Sequence, residues 1–274
     1  MFKIGPNMIS KWIKDLEIDK ISCVIPTFNR PELLQTSLDY LIANKFSFTN
    51  EKIDLFNLEL IVVDDGSNDY ESSLNKEICD HYNIFDKKEI EVKYIKLDEN
   101  SGTVSIPRNI GISHISGRTI APVDDDCLCL MHKLKTLYET LYNEYDEALL
   151  AFGDRAESTY KDEIITPIRG VSAKNQDPKE VGLDNGQFIY KADVYNYIKP
   201  VFAINACDWE LYKQIAEFGK FNYVSSVVCN YLWHDNNISI LKPKPMRVNP
   251  YDVLDKYKKY FKDGPFKEVI FANN

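Results

Sequence analysis

The sequence predicts an α/β fold: a mainly parallel central sheet flanked by helices, with a helical extension at the C-terminal end. Three observations carry that expectation. Short apolar runs alternate with helical patterns through the first half of the chain. The runs are apolar on consecutive residues rather than every second one, as strands buried on both faces require. Each run also ends abruptly in a polar cluster, "PTFNR", "DDGSND" or "DDD". Ligands of parallel sheets gather beyond the carboxyl ends of the strands, so the three clusters are expected to converge on one rim.

The elements follow in order. "ISCVIPTFN" (21–29) reads as a buried strand stopping at Pro26, and Pro31 opens a helix, "PELLQTSLDYLIANK", with Leu33, Leu34, Leu38, Leu41 and Ile42 on one face. "LELIVV" (58–63) is a second strand, its end marked by the Gly, Ser and Asn of a tight loop. A helix to about Tyr82 and a third strand, "IEVKYIKL" (90–97), come next. A loop and helix follow, closed by Gly117, and "RTIAPV" leads into Asp124, Asp125 and Asp126. "LMHKLKTLYETLYNEYDEAL" is expected to be helical and "LLAFGD" a strand. Residues 155–186 are polar, with Pro, Gly and Asn, and read as a long loop or variable segment, of the kind that is usually functional or mobile. "CDWELYKQIAEFG" (207–219) is a helix with Leu211, Ile215 and Phe218 on one face and Gly219 at the C′ position. "FNYVSSVVCNYLW" is a strand, and "PYDVLDKYKKYF" is amphipathic.

Composition bounds the class. The 274 residues are 44% hydrophobic and 27% charged, as in ordinary globular chains, and no apolar run approaches the ~20 residues of a membrane helix. The first twenty residues hold acids and no apolar core, unlike a signal peptide. Six cysteines without CxxC pairs read as reduced thiols, and the expected location is cytoplasmic. The net charge of −9 is uneven, because residues 240–274 carry eight Lys/Arg against four Asp/Glu. An acidic body disfavours non-specific phosphate binding, whereas the basic tail leaves open contact with an anionic surface or nucleic acid.

The polar clusters each admit two readings. Carboxylates select hard divalent cations, Mg2+ or Mn2+, which are commonly shared with phosphates. Asp124 and Asp126, two apart on an extended segment, would face one side, but the triplet equally suits a solvated turn or helix cap. Asp65, rigid at a strand end, can accept a uracil imide N–H or meet a ribose hydroxyl, or with Asp64 bond the loop backbone. Arg30, at the start of a helix, is available to a base or phosphate, or marks only that start.

Together the segments are more specific. "ISCVIPTFNRPELLQTSLDYL", "LELIVVDDGSND", "ENSGTVSIPRNIGISHISGRTIAPVDDD" and "ACDWELYKQIAEFGKFNYVSSVVCNYLWHDNNIS" stand in the order found in family 2 glycosyltransferases of the GT-A fold, which the chain resembles over about residues 20–240. The resemblance implies a GT-A domain over 1–240, with a nucleotide half near 20–126 and an acceptor half near 127–240; residues 241–274 form the basic amphipathic extension. It implies that Pro26, Thr27 and Arg30 border the nucleotide base and that Asp65 contacts it. Asn100, Gly102, Arg108 and Asn109 match the stretch beside the ribose and diphosphate. Asp124 and Asp126 match the DxD motif, shared between nucleotide sugar and divalent metal, with Asp126 the principal ligand and His234 a second. Asp208 matches the catalytic base, although Cys207 stands where many members have Glu. Asp125 receives no role, and His81, His114 and His132 are structural.

The activity so implied is inverting, metal-dependent transfer of a sugar from a nucleoside-diphosphate sugar, UDP favoured, to an acceptor hydroxyl on a glycan or lipid-linked saccharide. Two alternatives stay open: transfer to modified DNA bases, and a non-catalytic sugar-nucleotide-binding module. A sugar nucleotidyltransferase would need a Gly-rich loop where "PTFNR" stands.

Overall fold

A computed structural model of the chain describes residues 15–46, 56–84, 89–143, 147–162, 164–173, 183–202, 207–235, 237 and 249–272. Strands β1 (Glu17–Thr27), β2 (Asn57–Asp64), β3 (Ile90–Lys96) and β4 (Gly117–Pro122) form the parallel part of one nine-stranded sheet. The order continues from β4 through β8 (Phe188–Lys191), β6 (Ala148–Lys161) and β9 (Lys220–Trp233) to β5 (Cys127–Cys129), with β7 (Ile164–Val171) hairpinned onto β6. Beyond β4 the pairing is mixed: β8 is antiparallel to both its neighbours, β6 and β9 run parallel, and β5 is antiparallel to β9.

The consecutive apolar residues are explained by two cores, one on each face. Ile21, Cys23 and Ile25 of β1 and Leu58, Leu60 and Val62 of β2 pack with helix α1 (Pro31–Lys45), α2 (Asp69–Tyr82) and α4 (Lys133–Leu141). Val24, Ile61 and Val63 point the other way, into α3 (Ser105–Ser113), α5 (Cys207–Ala216), α6 (Pro250–Tyr257) and α7 (Pro265–Phe271). Leu34, Leu38 and Leu41 of α1 are wholly buried, and truncating any one to Ala carries a cost of about 2–5 kcal/mol. The C-terminal helices bury Leu254, Tyr257, Phe261 and Phe266 in the same core as α3 and α5. Three of their lysines are engaged locally: Lys256 pairs with Glu99, Lys259 with Asp98 and Lys267 with Asp263.

Several expectations need correction. β1 runs through Pro26 to Thr27, because Pro26 pairs with Val63 at a level that β4 no longer reaches. Gly117 does not close α3. That helix ends at Ser113, and Gly117 opens β4, where a Cβ would meet the Lys20 carbonyl. The region from 155 is not a loop: β6 extends to Lys161 and turns through Asp162 (φ 51°) into β7. Residues 174–182 of that stretch lie outside the described residues. Phe218 is exposed and stacks on Tyr197, and Gly219 is not in the left-handed region; its lack of a side chain makes room for Leu149.

Candidate active site

Because β1, β2 and β4 are parallel, their carboxyl ends reach the same rim. Asp65 N–H donates to the Thr27 carbonyl at 2.9 Å and the Val123 N–H to the Val24 carbonyl at 3.1 Å. The three acids do not continue as an extended segment. Cys127 N–H closes a turn onto the Asp124 carbonyl at 3.0 Å, so the carboxylates fan out to different partners.

Asp125, without a role in the motif, is the buried anchor. Thr27 Oγ1 donates to its Oδ2 at 2.8 Å and Arg30 to its Oδ1 at 3.0 Å. Burial lifts its carboxyl to about 6 against the opposing pull of Arg30. The same Arg30 nitrogen reaches Asp126 Oδ2 at 3.2 Å, which also receives Asn237 Nδ2 at 3.1 Å and lies 3.2 Å from His234 Nε2. Asn237 in turn accepts the His234 N–H at 2.5 Å, fixing the turn after β9. Arg30 therefore sits on the acids rather than standing apart from them.

Asp124 belongs to a second cluster. Arg108, projecting from α3 and buried, donates to Asp124 Oδ1 at 2.6 Å and to Cys207 Sγ at 3.1 Å, while Asn185 Nδ2 bonds Asp124 Oδ2 at 3.1 Å. Asp208, in the first turn of α5, is held through its Oδ1 by the Trp209 N–H at 2.8 Å. Burial raises its pKa, and Asp124 adds to the rise while Arg108 opposes it. Asp184 lies close to both acids and is paired with Arg155; burial lifts it to about 6. Asp184 and Gln187 form a reciprocal capping box around the 3-10 turn Asn185–Gln187. Gly186 within it packs on Cys127 and Cys229 so closely that a Cβ would collide with the Cys127 sulfur.

At the other end of the rim, Asp65 accepts from the Ser101 N–H and Oγ, both at 3.0 Å, and from Asn100 Nδ2 at 3.1 Å. Burial nevertheless pushes its carboxyl up to about 7. Gly66 (φ 75°) lets the loop press against the backbone of Glu99 and Asn100, where any side chain would clash. Gly102 also has positive φ and donates to Asn100 Oδ1 at 2.8 Å. Asp64 is spoken for by the Ser67 N–H, Asn75 and Tyr94. Asn109 bonds the carbonyls of Ser105 and Val201, tying α3 to that neighbouring segment rather than reaching the acids.

Sequence reasoning left out Asp184, Asn185 and Arg155. No motif flags them, and they join the site by folding from the segment read as a loop. Asn237 was within reach, at the fourth position of "HDNN".

The acids suit a divalent cation that takes most of its oxygens from elsewhere. Asp126 Oδ2 is fully engaged, but Oδ1 has no hydrogen-bond partner among the described residues, and the His234 ring lies beside it. No group of three His, Cys, Asp or Glu that could hold an ion unaided occurs among the described residues. One carboxylate and one imidazole fit a metal shared with phosphates, as Mg2+ sites commonly are.

The fold has counterparts among solved structures. Staphylococcus aureus TarS 1–349 in complex with UDP-GlcNAc is similar with a TM-score of 0.59 at 17% identity, over 88% of this chain and 65% of that one. Residues 22–197 match the model of glycosyl transferase family 2, and the chain belongs to that family. Among curated relatives it is 32% identical over 136 residues to glycosyltransferase GlyA of Streptococcus pneumoniae serotype 4, covering 50% of this chain and 17% of GlyA. It is 31% identical over 119 residues to poly(ribitol-phosphate) beta-N-acetylglucosaminyltransferase TarP of Staphylococcus aureus, covering 43% of this chain and 32% of TarP. The chain thus spans less than half the length of either. No helix among the described residues is long and apolar enough to cross a membrane.

Proposed function

We propose that the chain transfers a sugar from a nucleoside-diphosphate sugar, UDP favoured, to an acceptor hydroxyl with inversion at the anomeric carbon. The observation that carries the reading, within the family, is Asp208. This half-buried carboxylate has a raised pKa and stands one residue from the Arg108 contact that leads to Asp124. Asp208 would take the proton of the acceptor hydroxyl as that oxygen attacks the anomeric carbon from the face opposite the leaving diphosphate. Its raised pKa makes it the stronger base for this step. Asp65 would accept the imide N–H of the base, with Pro26, Thr27 and Arg30 forming the wall beside it. Asn100, Gly102, Arg108 and Asn109 shape the floor under the ribose and diphosphate, and Asp124 faces the sugar. Asp126 and His234 would hold Mn2+ or Mg2+, which offsets negative charge on the departing diphosphate when bound.

The acceptor is assigned by class. The name of TarP specifies poly(ribitol-phosphate), which favours a polyol-phosphate polymer, with a glycan or lipid-linked saccharide as the second reading. Lys256, Lys259 and Lys267 are paired with local acids, so these three lend little support to a nucleic-acid acceptor bound through the tail.

The test is a panel of nucleotide sugars with Mn2+, read by thermal shift and by release of nucleoside diphosphate with ribitol-phosphate and saccharide acceptors. UDP-sugars are expected to stabilise the protein and be turned over. Asp208→Asn is expected to keep the thermal shift and lose about 10²–10⁴-fold in turnover. Stabilisation without turnover on every acceptor would favour a binding module, and no stabilisation by any nucleotide would overturn the reading.

A further inference from the structure

Behind the acid turn lies a cluster that sugar transfer does not use. Lys133, the first residue of α4, is fully buried, and its Nζ donates to Cys129 Sγ at 3.3 Å. No other hydrogen-bond partner of that nitrogen occurs among the described residues. Cys23, Cys127 and Cys229 are buried around the pair, and Cys129 stands directly opposite Cys229 in the β5–β9 ladder.

A buried lysine normally meets a carboxylate or several carbonyl oxygens, because sulfur is a weak acceptor and the desolvation of an ammonium is expensive. Here burial works against the ammonium, but the sulfurs of Cys129, Cys229, Cys127 and Cys23 work for it and prevail, so its pKa is raised and the resting lysine is charged. What sulfur offers and oxygen does not is oxidation. An amine held against a thiol, with water excluded, is placed to capture the first oxidised state of that sulfur before it climbs further.

We propose that Lys133 and Cys129 form a reversible oxidative cross-link, a sulfenamide between Nζ and Sγ, when the protein meets hydrogen peroxide. In the first step the thiol sulfur takes one oxygen from peroxide; the O–O bond breaks, the sulfenic acid forms and one water leaves. In the second step the oxidised sulfur no longer supports the ammonium, Lys133 releases one proton to solvent, and the freed nitrogen lone pair attacks Sγ as the S–O bond breaks. The departing hydroxide takes a proton from nitrogen and leaves as a second water. Sulfur loses two electrons in total and peroxide gains them. Two equivalents of an external thiol return the amine and the cysteine, becoming a disulfide themselves. The bond fastens β5, which directly follows the acid turn, to the first turn of α4.

The experiment treats the intact protein with hydrogen peroxide, blocks the remaining thiols and maps tryptic peptides by mass. The segment carrying Cys129 and Lys133 is expected about 2 Da lighter than its reduced form, uncut after Lys133, and restored in mass and cleavage by dithiothreitol. Lys133→Met is expected to abolish the link and leave a sulfenic acid at Cys129 that dimedone traps. A disulfide to Cys127 or Cys229 with Lys133 still cleaved, or a Cys129 that survives peroxide unchanged, overturns the proposal. The wild-type map decides between these outcomes even if the Lys133→Met protein does not fold.

Discussion

Arg108 bonds Asp124 through one guanidinium nitrogen and the thiol of Cys207 through another, so a single buried cation joins the first acid of the triplet to the start of the helix carrying Asp208. That side chain ties the acid triplet to the helix carrying Asp208, beside the Asn185 contact to the same carboxylate.

Arg108→Met keeps much of the bulk and removes that joint. Asp124, itself partly exposed, is left with Asn185 as its remaining side-chain donor, and breaking a partly buried charged contact of this kind costs about 1–3 kcal/mol. Urea denaturation is expected to show that loss. Turnover is expected to fall further than stability at a temperature where the variant stays folded, because Asp208 loses its nearby positive charge.

Asp65 gives a pH dependence with a defined sign. Its carboxyl titrates near 3.8 when unperturbed and at about 7 in the folded chain, chiefly through burial. Between those values the folded protein holds a proton that the unfolded chain has released, so its contribution to stability shrinks as pH rises through the window and is gone above it. Thermal melts of the wild type and Asp65→Asn across pH 4–8 are expected to converge or cross, with the wild type alone losing this component. Nucleotide affinity is expected to move the opposite way, rising as Asp65 ionises, since only the carboxylate accepts a base N–H with both oxygens.

Metal removal is expected to separate the two clusters of acids. With EDTA present, or in Asp126→Ala, UDP should no longer raise the melting temperature, while the melt of the nucleotide-free protein with EDTA should be unchanged. Isothermal titration of Mn2+ in the presence of UDP checks this directly. Metal-dependent stabilisation that survived Asp126→Ala would remove Asp126 as principal ligand.

Gly186→Ala tests how tightly the 3-10 turn is seated. The new methyl group would drive into the Cys127 sulfur and push Asn185 away from Asp124. A destabilisation of about 1–3 kcal/mol is expected from overpacking, read by chemical denaturation.

The strands β1 to β4 and helices α1 to α3 were legible in the sequence because burial on both faces writes an unbroken apolar run, and Pro31 and Gly66 punctuate it. The β6–β7 hairpin was not, for a physical reason. β7 exposes Ile164 and Ile168 and buries almost nothing, so no period-two pattern is imposed on it. Gly117 and Gly219 looked like helix stops, yet each is small because another chain segment presses against it. In the candidate site, Asp125 lacked a role because its partners, Thr27 and Arg30, lie 98 and 95 residues earlier. Asn185 and Asp184 were hidden by their ordinary residue types, since only the turn that brings them to Asp124 gives them meaning.

The pairing of β5 with β9 has a consequence for the chain as it leaves the ribosome. Leu232 N–H donates to the Asp126 carbonyl at 3.2 Å, and Asn237 and His234 meet the Asp126 carboxylate only when β9 has paired. More than a hundred residues therefore emerge after the acid triplet before its last supports arrive. Until β9 pairs, Asp126 lacks the backbone and side-chain contacts that orient its carboxylate, so this corner of the rim takes shape only with the far strand in place.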